Sequence, residues 1–319
     1  MTAFLRRALL SDYFVLGLCV VYAAAVAPFT PGFLSSENLT NILTTLLPLL
    51  VVALGQTVVL IAGGIDLSAT AVIGLASITG AMAMNDETGW LAHSPLAAPA
   101  GVALMLAVGA GVGACNGFAV ARWRMPPFMV TLAAMMGFSG LAVWLTHSKN
   151  INALPAAFTM LGGRTAVAFA ITLAVAVLAQ LLLSRSLFGR WLYAVGHNPR
   201  AALISGVPVG GVVFSAYVVS GLLAALASVL YTGQAETGSP VLGQRILLDV
   251  IGATVIGGTS LFGGKGKVLW TVFGVLFLKL VDNSLNLLSL SVFTITMAKG
   301  AVILLAACLD SARARLGNP

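Results

Sequence analysis

The chain has 319 residues, of which 59% are hydrophobic and only 8% are charged, and its mean hydropathy is +1.04. Soluble globular domains carry about 25% charged residues, so this composition excludes an ordinary soluble enzyme or binding module. The net charge of +7 does not indicate nucleic-acid binding, because the basic residues fall between apolar segments as membrane orientation requires.

Ten apolar segments along the chain are predicted to enter a bilayer. A hydrocarbon core of about 30 Å needs about 20 helical residues, and the eighth and ninth segments are the shortest. The predicted spans are residues 13–29, 42–62, 67–84, 96–121, 127–146, 165–184, 211–232, 246–258, 268–282 and 293–309. The sequence therefore predicts an all-α polytopic membrane protein with about ten transmembrane helices, including broken or re-entrant segments.

The basic residues predict the orientation of these spans. With the N terminus in the cytoplasm, the external segments hold three, Lys149, Arg164 and Arg245. The cytoplasmic segments then hold eleven, namely Arg6, Arg7, Arg122, Arg124, Arg185, Arg190, Arg200, Lys265, Lys267, Arg313 and Arg315. This positive-inside bias predicts that both termini are cytoplasmic.

A short polar turn containing Gly63, Gly64, Asp66 and Ser68 separates the second and third spans. A carboxylate inside a membrane costs about 2.5–3.5 kcal/mol, so such acids are rare and mark a site. The paired glycines allow one helix to end and another to start. Asp66 is expected to cap the new helix by accepting hydrogen bonds from the amides of Ser68 or Ala69. A broken membrane helix lines a cavity or is buried in protein, which is typical of permeases.

The fourth span carries Gly109, Gly113 and Gly117 at four-residue spacing, which predicts a small face for close helix packing.

The longest cytoplasmic segment, residues 185–210, is predicted to carry a short helix outside the membrane. Asn198 is expected to cap this helix and Gly206 to end it. Small residues at this spacing leave a nearly bare helix face suited to packing against a partner, although an ordinary basic loop remains an alternative. The residues concerned are Asn198, Arg200, Ala201, Ala202 and Gly206.

A second glycine-rich segment follows the eighth span and contains Gly257, Gly258, Thr259, Ser260, Gly263 and Gly264. A phosphate-binding loop needs Gly-x-x-x-x-Gly-Lys-Ser/Thr, whereas residues 259–266 begin with Thr and end with Gly. The hydroxyl that would bind the metal is therefore missing. We expect a tight cytoplasmic turn, with Lys265 and Lys267 anchoring the orientation.

These motifs follow one another in a characteristic order. They are Gly-Gly-Ile-Asp-Leu-Ser at 63–68, Asn116-Gly117, Pro127-Phe128, Thr131-Leu132, Gly-x-Asn-x-x-Ala-Ala-x-x-x-Gly at 196–206, the glycine-rich run at 256–264, Asn-Ser-Leu-Asn-Leu at 283–287, and residues 305–310. Together they resemble the inner-membrane permeases of bacterial ABC importers for simple sugars, the ribose/xylose/galactose branch. Arg200 departs from ABC permeases, which often carry an acid there, and Ala69-Thr70 replaces the branch's more usual Val-Gly.

The resemblance implies a transport subunit without catalytic residues, cofactor or metal, in which residues 1–319 form one transmembrane permease domain of the bacterial inner membrane. It also implies a second permease chain, identical or homologous, to form the pathway. Cytoplasmic ABC ATPase subunits would bind the coupling loop at 185–210, and a periplasmic or extracellular solute-binding protein would deliver the sugar.

The resemblance also suggests residues of the substrate pathway. Aromatic rings and amides are suited to recognising sugars, because they combine an apolar face with hydrogen bonds. The candidates are Asn116, Phe128, Asn283 and Asn286.

Three alternatives stay open at this stage. A nucleoside or branched-chain amino acid permease would share the architecture. An ion-coupled secondary transporter would need several buried ionisable groups, and an intramembrane enzyme would need a catalytic constellation. Asp249 and Asp282 are expected near helix ends, solvated or capping, rather than in a proton relay.

Overall fold

The computed structural model describes residues 11–317, with side chains up to residue 305 and that of Cys308. Arg6 and Arg7, which enter the predicted orientation, lie outside these residues. The helices are α1 (Phe14–Val26, continued by a 3-10 turn at Ala27–Phe29), α2 (Ser36–Ile61), α3 (Ala69–Met84), α4 (Ala97–Arg122), α5 (Pro127–Thr146), α6 (Ala156–Gly163), α7 (Thr165–Arg185), α8 (Leu187–His197), α9 (Pro199–Ile204), α10 (Val209–Ala235), α11 (Leu247–Gly257), α12 (Val268–Leu287) and α13 (Val292–Gly317).

Apolar helices occupy every predicted span. Six of them are long and apolar enough to cross a membrane, namely α2, α4, α5, α7, α10 and α12, while α1, α3, α11 and the part of α13 up to Leu305 are shorter. Helix α11 has only 11 residues, well below the length of a full crossing. The all-α polytopic prediction is therefore confirmed, and α11 is a partial crossing.

The centre of the protein is formed by α2 and α3. Most of α2 is buried by neighbouring helices, whereas α5 and α7 direct most of their apolar surface outward, where lipid would lie. Helix α10 packs against α2, α3 and α4, and α12 packs against α2 and α11. The polar turn between α2 and α3 is thus enclosed by other helices.

The packing of α4 against α10 depends on glycine, as the spacing predicts. A Cβ atom on Gly109 or Gly113 would collide with backbone carbonyl oxygens of α10, and one on Gly117 would lie 2.8 Å from the carbonyl oxygen of Phe214. Close backbone approach of this kind is a common way for membrane helices to associate. It holds α4 and α10 together beside the broken turn, which both helices contact.

Candidate functional site

The helix break occurs where the sequence predicts it. Helix α2 ends at Ile61, Gly63 adopts a left-handed conformation with φ of +81°, and α3 begins at Ala69. A Cβ atom on Gly64 would lie 2.5 Å from Tyr217 Oη, so this residue must also be small. Glycine meets both needs because it has no Cβ to strain or to collide.

Asp66 lies at the centre of a buried group of hydrogen bonds, here called the Asp66 cluster: Asp66, Ser68, Asn116 and Ser220. Its Oδ1 accepts from Ser68 N at 3.0 Å and from Ser68 Oγ at 2.6 Å, and its Oδ2 accepts from Ser220 Oγ at 2.8 Å. Asn116 Nδ2 donates to Ser68 Oγ at 2.7 Å. The expected bond to the Ser68 amide is present, and the cluster joins the turn to α4 and α10.

No basic side chain among the described residues forms an ion pair with Asp66. The carboxylate is instead held by hydroxyl and amide donors, which is how a buried polar group avoids the penalty of lost hydration. Because these donors come from its own turn and from α10, the carboxylate fixes the position of the turn inside the bundle.

The backbone of the turn is held as well. The Ile65 carbonyl oxygen accepts from Tyr217 Oη at 3.2 Å and from Thr131 Oγ1 at 3.3 Å. Thr131 lies on α5 and Tyr217 on α10, so a third helix is tied to the same turn. Ser220 and Tyr217, spaced three apart on one face of an apolar helix, are site residues that the sequence analysis missed.

The turn, the end of α8 and the glycine-rich segment meet at one place. We call their contact the loop junction: Ile61, Gly63, Tyr193, Gly196, Gly263, Gly264 and Gly266. The Ile61 carbonyl oxygen accepts from Gly264 N at 2.9 Å, and the Gly266 carbonyl oxygen accepts from Tyr193 Oη at 2.7 Å. Burial raises the pKa of the Tyr193 phenol above its ordinary value, which keeps the hydroxyl protonated as the donor. The junction therefore places the turn, the end of α8 and the glycine-rich segment on one side of the protein, as the predicted orientation requires.

The predicted short helix in the longest loop is present as α9. Asn198 Oδ1 accepts from Arg200 N and Ala201 N, each at 3.0 Å, and Gly206 follows the helix with φ of +82°. The outward face differs in part from the expectation, because Ala201 and Gly206 are exposed whereas Ala202 is buried. Ala202 is only 4% exposed and packs inside the protein, while Leu203 is 64% exposed and Ile204 is 88% exposed.

The glycine-rich segment forms the tight turn that was predicted. Gly258, Gly263 and Gly264 all have positive φ, and Ser260 N donates to the Lys265 carbonyl oxygen at 3.0 Å across the turn. Thr259 is buried, while Phe262 at the tip is 94% exposed. Gly257 packs against α12, where a Cβ atom would collide with the Trp270 carbonyl oxygen.

The four candidate pathway residues occupy different surroundings. Asn116 is buried in the Asp66 cluster, and Phe128, in the first turn of α5, is 52% exposed. Asn283 exchanges two amide hydrogen bonds with Asn38, at 2.8 and 2.9 Å, and the exposed Asn286 donates to the Asp282 carbonyl oxygen at 2.7 Å. The described hydrogen bonds do not join these residues into one site, and their role in transport stays a prediction.

Asp249 and Asp282 are not simply solvated or capping, so that expectation was wrong. Lys299 Nζ lies 2.9 Å from Asp249 Oδ1 and 3.2 Å from Asp282 Oδ1, and all three side chains are at least partly buried. The lysine comes from α13 and the acids come from α11 and α12. The error arose because the contact of α13 with these helices is a tertiary feature that helix-end positions do not reveal.

A multi-pass helical protein with a broken membrane helix, a buried carboxylate at the break and a short helix in its longest loop has the architecture of a membrane permease. The chain belongs to the family described as branched-chain amino acid transport system / permease component, which matches residues 38–307. It is thus a transport subunit and a multi-pass protein of the bacterial inner membrane.

Its relatives match it along nearly the whole chain. It is 37% identical over 302 residues to the ribose import permease protein RbsC of Bacillus subtilis, covering 92% of this chain and 91% of the relative. It is 34% identical over 303 residues to RbsC of Escherichia coli K12, covering 92% and 91%. It is also 34% identical over 303 residues to the L-arabinose transport system permease protein AraH of the same strain, covering 92% and 89%. No solved structure gives a significant match.

Proposed function

We propose that this chain is the membrane-spanning permease subunit of an ABC importer and that it forms the translocation pathway for a monosaccharide. The observation that carries the proposal is its similarity, over 92% of its length, to proteins named as ribose import and L-arabinose transport permeases. The broken helix enclosed by α4, α5 and α10 agrees with such a role, because irregular backbone at membrane depth is stable only beside a cavity or inside protein.

The energy for transport comes from a separate cytoplasmic ATPase that binds α9. The support is the exposed apolar pair Leu203 and Ile204 on a short helix beside basic loops, since exposed apolar patches on a water-facing surface mark interaction sites. Arg200 lies on the same helix and is also exposed. A solute-binding protein on the outer side delivers the sugar, and a second copy of this chain or a homologous chain completes the pathway.

The proposed roles of individual residues follow from their surroundings. Asp66 has its oxygens occupied by Ser68 and Ser220, so it organises the turn rather than contacting sugar. Phe128 and Asn286 are exposed and free to face a pathway between two permease chains. Alanine at each of the four candidate positions should alter apparent affinity or rate of uptake while the complex remains assembled. Unchanged uptake in every variant would remove this set from the pathway.

The experiment that tests the proposal uses cells that lack their own ribose and arabinose importers. The chain is expressed with its cognate ATPase and binding protein, and uptake of radiolabelled ribose and L-arabinose is measured, with leucine and uridine as competitors. We expect sugar uptake that requires co-expression of the ATPase. Uptake that continues when the ATPase is omitted would indicate a secondary transporter. Competition by leucine or uridine would indicate the amino acid or nucleoside alternative.

A further inference from the structure

The loop junction contains backbone contacts that are too close for side chains. A Cβ atom on Gly196 would collide with the Ile61 carbonyl oxygen and would lie 2.5 Å from the Gly264 amide nitrogen. A Cβ atom on Gly263 would lie 2.7 Å from the Gly196 carbonyl oxygen and 2.9 Å from Gly63 Cα. Contacts of this kind leave no room for sliding, because packed interiors transmit strain rather than absorb it.

The loop junction lies between α9, the proposed ATPase-binding helix, and the Asp66 cluster. On one side, Gly196 precedes Asn198, the cap of α9, by only two residues. On the other side, Ile61 and Gly63 belong to the turn that leads into Asp66. Only a few residues in direct contact therefore separate α9 from the Asp66 cluster.

We propose that the loop junction moves as one rigid unit, which carries a displacement of α9 to the broken turn and the Asp66 cluster. Gly196 and Tyr193 are its positioning residues: Gly196 permits the backbone contact, and Tyr193 ties α8 to the glycine-rich turn. The inference rests on the proposed coupling to an ATPase. It adds that the force enters the membrane domain at the break between α2 and α3.

The first test disrupts the contacts of the loop junction without changing any residue of α9. Gly196→Ala and Tyr193→Phe are compared with Gly210→Ala, a matched control in α10 where an added Cβ meets nothing within 4 Å. Complexes with the cognate ATPase are purified in nanodiscs, and ATP hydrolysis is measured without binding protein and with binding protein loaded with ribose or with L-arabinose. Co-purification of the ATPase reports assembly, so loss of docking is separated from loss of coupling.

Disrupting the junction should reduce the stimulation of ATP hydrolysis by the binding protein while the complex stays assembled. Overpacking at Gly196 is expected to reduce the stimulation by binding protein about five- to 150-fold. Loss of the Tyr193 hydrogen bond is expected to reduce it about two- to tenfold. Basal hydrolysis and ATPase association should equal those of the wild type and of Gly210→Ala. Unchanged stimulation in Tyr193→Phe would overturn the inference, even if Gly196→Ala failed to fold.

The second test locks the junction. A Cβ atom on Gly264 would lie 3.3 Å from His197 Cβ, within a few tenths of an ångström of the separation found in disulfides. The pair His197→Cys with Gly264→Cys is made with Cys115 and Cys308 replaced by alanine, and Gly264→Cys alone serves as the control. A rigid unit should transport equally well oxidised and reduced, whereas activity that returns only on reduction would show that the loops must separate.

The inference and the proposed function fail in different ways. If the wild-type chain does not associate with the ATPase, or hydrolysis is stimulated neither by ribose-loaded nor by L-arabinose-loaded binding protein, the assignment as a monosaccharide ABC permease fails. If the binding protein stimulates ATP hydrolysis equally in the wild type and in the junction variants, only the proposal of a rigid loop junction fails.

Discussion

Replacing Asp66 should destabilise the protein by an amount that depends on which hydrogen bonds the new side chain keeps. In Asp66→Ala, Ser68 N loses its acceptor, and loss of such a cap typically costs about 0.5–2 kcal/mol. The buried Ser220 hydroxyl also loses its acceptor, which adds about 1–3 kcal/mol. We therefore expect a loss of about 1.5–5 kcal/mol in the free energy of unfolding.

Asp66→Asn should be much milder. The remaining carbonyl oxygen of asparagine accepts from Ser68 N, and the amide nitrogen faces the Ser220 hydroxyl, which rotates to accept. Only the extra strength that the negative charge gives these hydrogen bonds is lost, which costs about 1 kcal/mol of stability. Ser220→Ala removes one hydrogen-bond donor from the carboxylate, so its loss of stability should lie between those of Asp66→Asn and Asp66→Ala.

The assay is thermal unfolding of the purified protein in detergent, together with uptake per folded molecule. We expect stability to decrease in the order wild type, Asp66→Asn, Ser220→Ala, Asp66→Ala, with uptake per folded molecule unchanged. If Asp66→Asn and Asp66→Ala fold as well as the wild type and lose uptake equally, the architectural role is refuted, and the negative charge itself serves transport.

Four further single substitutions and one double variant have expected outcomes. Ile204→Ser should leave folding unchanged but weaken ATPase co-purification about tenfold or more, because about 1.5–3 kcal/mol of apolar burial against the ATPase is lost. Ala202→Trp should instead lower the folded yield, because the Ala202 side chain is already buried inside the protein. Lys299→Met should lower the free energy of unfolding by about 3–5 kcal/mol, because it leaves Asp249 without its ion pair. Adding Asp249→Leu should recover much of that stability. A double variant as unstable as Lys299→Met alone would contradict this reasoning. Gln56→Leu should raise the melting temperature, because the fully buried Gln56 amide has no hydrogen-bond partner among the described residues; lower uptake at unchanged stability would instead give the amide a transport role.

The sequence predicts the helices well because membrane burial imposes a strong local rule. Each apolar run forms a helix within a few residues of its expected limits, apart from the later ends of α12 and α13 and the earlier start of α2. Local chemistry is equally informative at the caps: Asp66 and Asn198 accept from nearby amides, as their side chains and positions indicate. These features depend on neighbours only a few residues away.

Features that depend on distant contacts could not be predicted in this way. Lys299 and Asp249 are 50 residues apart, and Ser220 reaches Asp66 across 154 residues. The outward face of α9 was misjudged for the same reason, because which alanine is buried depends on how α9 rests on the rest of the protein. The spacing of Ala201, Ala202 and Gly206 is compatible with either face.

The central claim is that this chain imports a monosaccharide with energy from a separate ATPase. The most direct measurement is uptake of radiolabelled ribose and L-arabinose into proteoliposomes that contain the purified chain, its cognate ATPase and its binding protein, with ATP accessible to the ATPase. We expect accumulation of at least one sugar that stops when the ATPase is omitted or ATP is replaced by a non-hydrolysable analogue. Accumulation without the ATPase, or accumulation of leucine or uridine but of neither sugar, would contradict the account.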